Sequence, residues 1–128
     1  MVAQIDLDTR ADSRDGVILA EAVRRIAEYW QLTNEGLGEI LGLSGSTISR
    51  LRNGSWHFSV GTKSFELAQY LTRLFRSLDS LLGSDDAAAR SWLEADNVEL
   101  SGRPVTLIRT IRGLTMVADY VDDYRARV

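Results

Sequence analysis

The segment from Thr33 to Gly54 most constrains the fold, because its caps and glycines have the spacing of a helix–turn–helix. Thr33 and Ser44 can each cap the free amides at the start of a helix. Gly42 can adopt the positive φ of a tight turn between the helices, and Gly38 lies where their axes cross. The residues predicted to point inward are apolar: Leu37, Ile40, Leu41, Ile48 and Leu51.

The outward side of the second predicted helix carries small polar residues and arginine, which suits the major groove of DNA. A surface helical hairpin would explain the apolar spacing but not the positions of the glycines and caps. The segment resembles the Xre/Cro group of phage-repressor-like proteins, including the Asn-Gly that ends the recognition helix. The predicted DNA-binding residues are Asn34, Ser44, Gly45, Ser46, Thr47, Ser49, Arg50, Arg52 and Asn53.

The position of each residue on its helix indicates whether it would contact bases or phosphates. The N-terminal half of a recognition helix contacts base edges, which nominates Gly45, Ser46, Ser49 and Arg50. Arg50 is the strongest candidate, since a guanidinium can bond two acceptors of one guanine. Phosphate contacts are expected from Asn34, Arg52, Asn53 and Ser55.

The charge of the chain is unfavourable for a DNA-binding protein. The net charge is −3, and residues 33–60 contain two basic and two acidic side chains. Each protomer should therefore bind DNA weakly and with strong salt dependence, so a homodimer on paired half-sites is expected.

Composition also limits the chemistry and the compartment. The chain has no cysteine, which excludes disulfides and thiolate metal sites and favours a cytoplasmic location. No secretion signal or membrane-spanning apolar run is recognisable. We expect no metal and no cofactor. The single histidine, His57, and the adjacent pairs of aspartates do not form a catalytic constellation, so the protein is not expected to be an enzyme.

The rest of the pattern predicts an all-α chain in which a long central helix joins the helix–turn–helix to a small C-terminal helical subdomain. Asp15 and Ser84 are predicted helix caps, Pro104 opens a short helix, and a last helix begins at about Arg112. The predicted divisions are a flexible N-terminus over 1–14, the DNA-binding domain over 15–61, the central or dimerisation helix over 62–83 and the C-terminal domain over 84–128.

Several apolar residues outside the helix–turn–helix are expected to form core. The leucines of the central helix follow a four-three spacing, with part of the face left for a second protomer. Trp56 and Phe58 should pack beneath their loop rather than stack on bases, and Trp92 should be a core residue of the C-terminal subdomain. The leucines in question are Leu67, Leu71, Leu74, Leu78 and Leu81.

The C-terminal segment has a characteristic set of residues: Trp92-Leu93, Asn97, Leu100, Gly102-Arg103-Pro104, Leu107, Thr110, Gly113, Val117 and Tyr120. With these residues the segment resembles the toxin-binding domain of Xre-type antitoxins, the partners of RES-domain toxins. The resemblance implies a dimeric antitoxin that blocks the active site of an NAD-degrading toxin and binds the operator of its own operon. The alternative function is a stand-alone transcriptional regulator whose C-terminal domain dimerises or senses a ligand.

By the same resemblance, the end of the last helix is the segment that would cover the active site of the toxin. The candidate toxin-binding residues are Tyr120, Tyr124, Arg125, Arg127 and Val128. The arginines suit a pocket shaped for phosphates only if that pocket tolerates cations. The Tyr124 ring and the terminal carboxylate of Val128 are the other candidate contacts.

Overall fold

A computed structural model describes the backbone of residues 2–127 and the side chains of residues 14–127. Within that part of the chain all regular structure is helical, and the one β-type pairing is an isolated bridge between Asn97 and Gly102. The predicted all-α architecture is confirmed. The helices are α1 (Val2–Tyr29), α2 (Asn34–Leu41), α3 (Gly45–Asn53), α4 (Lys63–Leu81), α5 (Asp86–Glu94), α6 (Pro104–Leu107) and α7 (Ile111–Arg127).

The first helix begins earlier than the sequence analysis predicts. It runs from Val2, so Asp15 lies inside it, and the prediction that the helix starts at Asp15 is wrong. No glycine or proline occurs between Val2 and Asp15, so the segment contains no residue that breaks a helix.

The helix–turn–helix forms as its caps and glycines predict. Thr33 Oγ1 accepts a hydrogen bond from the amide of Gly36 at 2.9 Å, and Ser44 Oγ accepts one from the amide of Thr47 at 3.2 Å. Gly42 has a φ of +67°, which turns the chain between the two helices. A Cβ on Gly38 would lie 2.8 Å from the carbonyl oxygen of Leu43, so only glycine allows this approach.

Helix α4 is the element on which both halves of the protein pack. It contacts α1, α2, α5 and α7, and Thr62 caps its start. Phe75 of α4 packs against two aromatic residues at the end of α1, with ring centroids 5.9 Å from Tyr29 and 5.5 Å from Trp30. Four leucines of the predicted stripe are buried, and Leu81 is half-buried: Leu67, Leu71, Leu74, Leu78 and then Leu81.

Polar contacts also join α4 to α7. Arg73 Nε donates to Asp122 Oδ2 at 2.7 Å, and its Nη2 donates to Asp119 Oδ1 at 3.0 Å. Ser77, which is buried, donates to the other carboxylate oxygen of Asp122. Burial alone would raise the pKa of Asp122, but the hydrogen bonds from Ser77 and Arg73 hold that pKa below its usual value.

The C-terminal half differs from prediction at one helix start. Asp85, not Ser84, caps α5, because its carboxylate accepts from the amide of Ala88 at 3.0 Å. Ser84 instead occupies the preceding turn with a φ of +61°. Pro104 opens α6 as predicted. A Cβ on Gly113 would lie 1.8 Å from the carbonyl oxygen of Leu107, so this glycine allows α6 and α7 to meet.

The loop between α3 and α4 is held by its aromatic residues. Phe58 is fully buried, and Trp56 packs edge-on against it at a centroid distance of 5.0 Å, which confirms the predicted packing beneath the loop. Trp92 packs against the core as predicted, but it is only half-buried and also borders an open groove.

Substitution of two helical glycines tests this packing directly. A Cβ on Gly16 would lie 1.9 Å from the carbonyl oxygen of Phe58, whereas a Cβ on Gly45 would meet no atom within 4 Å. Gly16→Ala should lower the free energy of unfolding by about 2–3 kcal/mol. Gly45→Ala should leave it unchanged or raise it by up to about 1 kcal/mol, since alanine is the better helix former. Urea denaturation checks both, and equal stability of the two variants would contradict the close contact between α1 and the loop.

The Asp122 carboxylate should make stability depend on pH. A carboxylate whose pKa is lower in the folded state than in the unfolded state stabilises the fold. This contribution is fully present when the pH is above the unfolded pKa of about 3.9, and it is lost as the pH falls through the folded pKa. Asp122→Asn should cost about 1 kcal/mol at neutral pH, a modest value because Arg73 is 46% exposed. The deficit should shrink as the solution is acidified. Asp123→Asn, at an exposed position, is the control; an equal loss in that variant would contradict a specific role for Asp122.

Candidate functional site

The outer face of α3 presents most of the predicted base-reading residues to solvent. Gly45, Ser46, Ser49 and Arg50 are all exposed. Among the described residues, the Arg50 guanidinium makes one hydrogen bond, from Nη2 to Thr47 Oγ1 at 3.3 Å, so further donors stay available. The structure therefore places an arginine and small side chains together on one accessible helix face.

Ser44 and Thr47 have structural contacts on the same face. Ser44 Oγ accepts the capping hydrogen bond of α3 and lies 3.0 Å from Thr47 Oγ1. Thr47 is half-buried, whereas Ser44 is exposed. These hydroxyls fix the start of α3. Both residues therefore position the exposed face of the helix, whether or not they contact a ligand themselves.

Arg52, predicted to contact phosphate, points into the protein. Its Nη2 donates to the carbonyl oxygen of Leu32 at 2.6 Å, and its Nε is buried without a partner. On the other side, Arg24 of α1 donates to the carbonyl oxygen of Leu51 at 3.3 Å. These two arginines join α3 to α1 and to the segment that follows α1. The sequence pattern did not indicate Arg24, because its acceptor lies 27 residues away.

The other predicted phosphate contacts lie at the ends of the two helices. Asn34 is exposed at the first residue of α2. Asn53 Oδ1 accepts from the amide of Ser55 at 3.0 Å and from its hydroxyl at 2.6 Å, which closes the end of α3. Asn53 and Ser55 thus stabilise the turn while remaining at the surface.

An open cleft of about 600 Å³ runs along α2 and the turn that leads to the first residue of α3. Two carboxylates of α2, Glu35 and Glu39, line it beside Asn34 and Gly45. Glu39 Oε2 lies 3.4 Å from Nη1 of Arg109, a residue of the turn between α6 and α7. Sequence reasoning missed this contact, since it joins residues 70 positions apart.

The candidate toxin-binding residues lie on the last turns of α7. Tyr120 is half-buried, Tyr124 is 47% exposed, and Arg125 and Arg127 are exposed. The rings of Tyr120 and Tyr124 lie on the same side of the helix, with centroids 6.1 Å apart. Val128 lies outside the described residues.

A groove of about 370 Å³ adjoins this end of α7. Burial raises the pKa of Tyr120, and the neighbouring carboxylate of Glu99 raises it further, so this phenol stays protonated at neutral pH. The groove combines aromatic and aliphatic walls with one carboxylate; its lining residues are Leu81, Leu82, Trp92, Glu99, Tyr120, Val121 and Tyr124. Trp92, predicted as core, is thus a wall of this groove.

The sequence also makes predictions about metal ligands, the histidine and membrane spans. Residues 14–127 contain no group of three or more His, Asp or Glu side chains placed to hold a metal ion. His57 is exposed, with Nδ1 3.0 Å from the carbonyl oxygen of Phe58. No helix of the described chain is both long enough and apolar enough to span a bilayer.

Two family models match the chain, one on each side of the middle of α4. Residues 13–73 match the antitoxin Xre-like helix-turn-helix domain, and residues 77–127 match the antitoxin Xre/MbcA/ParS C-terminal toxin-binding domain. The chain belongs to the Xre-type antitoxins. No curated protein matches it.

For an Xre-type antitoxin, the two surfaces described above fall in different matched domains. The exposed face of α3 lies in the helix-turn-helix match, and the end of α7 with its groove lies in the toxin-binding match. The matches meet within α4, so this helix belongs to both domains. The exposed face of α3 and the end of α7 therefore belong to two matched domains that share helix α4.

Two arginines of α3 should respond differently to substitution. Arg50→Ala should weaken DNA binding at least tenfold with little change in melting temperature, because the side chain is exposed. Arg52→Ala should instead lower the free energy of unfolding by about 1–2 kcal/mol, because it removes the hydrogen bond to Leu32. Fluorescence anisotropy and thermal denaturation measure the two effects. The assignment is wrong if Arg50→Ala is the less stable variant or keeps full affinity.

Proposed function

We propose that this Xre-type antitoxin neutralises a cognate RES-domain, NAD-degrading toxin and represses its own operon by binding operator DNA as a homodimer. The observation that carries the proposal is the separation of two exposed surfaces within one folded chain. One is the outer face of α3, and the other is the end of α7 with its adjoining groove.

The DNA-binding half of the proposal is supported by the accessibility of Arg50 and its neighbours. A guanidinium with unused donors beside Ser46 and Ser49 can enter the major groove without steric obstruction. Because Arg52 is turned inward, Arg50 supplies the principal basic contact on α3. Such a small reading surface favours a dimer, which doubles the number of contacts on a two-fold symmetric operator.

The toxin-binding half of the proposal is supported by the exposure of the last residues of α7. Val121 is the last buried residue of the helix, and residues 123–127 are exposed. Tyr124 is the contact we favour, because it borders the apolar groove and aromatic residues contribute strongly to protein interfaces. Arg125 and Arg127 also suit the negative end of the helix dipole, so their presence has a local explanation.

Co-expression with the neighbouring reading frame tests the proposed partner. A RES-type toxin gene should be recovered beside the antitoxin gene, and its product should arrest growth and deplete cellular NAD unless the antitoxin is present. Purification of the antitoxin should recover the toxin in a stable complex. If the neighbouring product is neither captured nor neutralised, the toxin assignment fails and the stand-alone regulator becomes the better hypothesis.

A pair of variants should separate the two activities. Deletion of residues 124–128 should weaken toxin binding at least tenfold, because it removes the Tyr124 ring and both exposed arginines. The same deletion should leave DNA affinity within about twofold, and Arg50→Ala should show the opposite pattern. Calorimetry with the purified toxin and anisotropy with labelled DNA provide the measurements. Full neutralisation by the truncated chain would rule out the α7 end as the inhibitory segment.

A further inference from the structure

One arginine of the toxin-binding domain reaches onto the helix-turn-helix beside the open cleft along α2. Arg109 lies in the turn between α6 and α7, and its Nη1 is 3.4 Å from Oε2 of Glu39 on α2. A Cβ built on Gly36 would lie 3.3 Å from Arg109 Nη2, so the guanidinium crosses the first turn of α2 at close range. This contact joins the two domains on the side of α2 that borders the cleft.

The location matters because α2 carries negative charge there. Glu35 and Glu39 line the same cleft as Gly45, the first residue of the recognition helix. Carboxylates at that position would repel the phosphates of a bound duplex. Residues 33–60 have no net positive charge with which to offset this repulsion. A cation from outside the helix-turn-helix would therefore make the cleft more compatible with DNA.

We propose that Arg109 of the toxin-binding domain is a positioning residue of the DNA-binding surface, where it neutralises Glu39 in the second turn of α2. This inference rests on the operator binding proposed above. It adds that DNA affinity depends on a side chain of the domain that docks the toxin. The helix-turn-helix is then electrostatically incomplete without the turn between α6 and α7.

The ion pair between Arg109 and Glu39 is better suited to changing the local charge than to stabilising the fold. Arg109 and Glu39 are 34% and 46% exposed, so the ion pair is largely solvated and contributes little to folding. Arg109 Nε is buried and has no hydrogen-bond partner among residues 14–127, which is unfavourable for folding.

A charge-swap series with the full-length antitoxin tests the inference. The probe is a labelled duplex covering the promoter region upstream of its own reading frame, titrated at low and moderate salt. Arg109→Met keeps the apolar stem of the side chain and removes the charge. We expect this variant to bind about tenfold more weakly at low salt, with a smaller loss at higher salt because exposed charges are screened. Arg109→Met combined with Glu39→Gln should return to within about threefold of the wild-type affinity.

Arg90 provides a matched control. It also joins the toxin-binding domain to the helix-turn-helix domain, but its Nη1 donates to the carbonyl oxygen of Tyr29 at 2.8 Å, at the end of α1. Arg90→Met removes the same charge, so its affinity should stay within about twofold of wild type if the effect of Arg109 is local. Melting temperatures of all variants identify any loss of fold.

The possible outcomes distinguish a failure of this inference from a failure of the proposed operator binding. If the wild-type antitoxin does not bind the duplex, operator binding itself is wrong. If the wild type binds and Arg109→Met binds equally well, or no more weakly than Arg90→Met, the inference is wrong. If the double variant remains as weak as Arg109→Met, Arg109 does not act by neutralising Glu39, and the inference is again overturned.

Discussion

The packing of α4 against both α1 and α7 is the constraint on which the rest of the structure depends. The buried leucines of α4, from Leu67 to Leu78, belong to one core cluster that also contains residues of both matched domains. The family matches meet within this helix, so no flexible linker separates the domains. Two surfaces on opposite halves are thereby fixed relative to one another, which makes an interdomain contact such as Arg109–Glu39 possible.

The features that the sequence predicted well are local ones. Thr33, Gly42 and Ser44 act within a few residues of their own position, so spacing alone identified both the helices and the turn. The error at the start of α5 has the same origin: Ser84 and Asp85 are adjacent, both can cap, and the turn geometry of Ser84 decided between them. The start of α1 was misjudged because polar composition indicated disorder although no residue there breaks a helix.

The features that sequence reasoning missed depend on distant partners. Arg52 looked like a phosphate contact because it is a cation on the recognition helix, but Leu32, 20 residues earlier, offers it a carbonyl oxygen. Trp92 has the apolar spacing of a core residue, and only the approach of α7 shows that its outer face borders a groove. Of the predicted site residues, those whose side chains project from one helix could be placed from periodicity; those that bridge elements could not.

The end of α7 is suited to docking because its earlier turns are already fixed. Asp119 and Asp122 bind Arg73, and Val117, Ala118 and Val121 are buried, so the helix is anchored up to its last turn and a half. The exposed residues beyond that point continue a formed helix and need not fold when a partner binds. Less conformational entropy is then lost on association than for a disordered tail, so a small contact surface can hold a toxin more tightly. Because α7 packs on α4, a partner that displaced α7 would also act on the helix against which the helix-turn-helix domain packs.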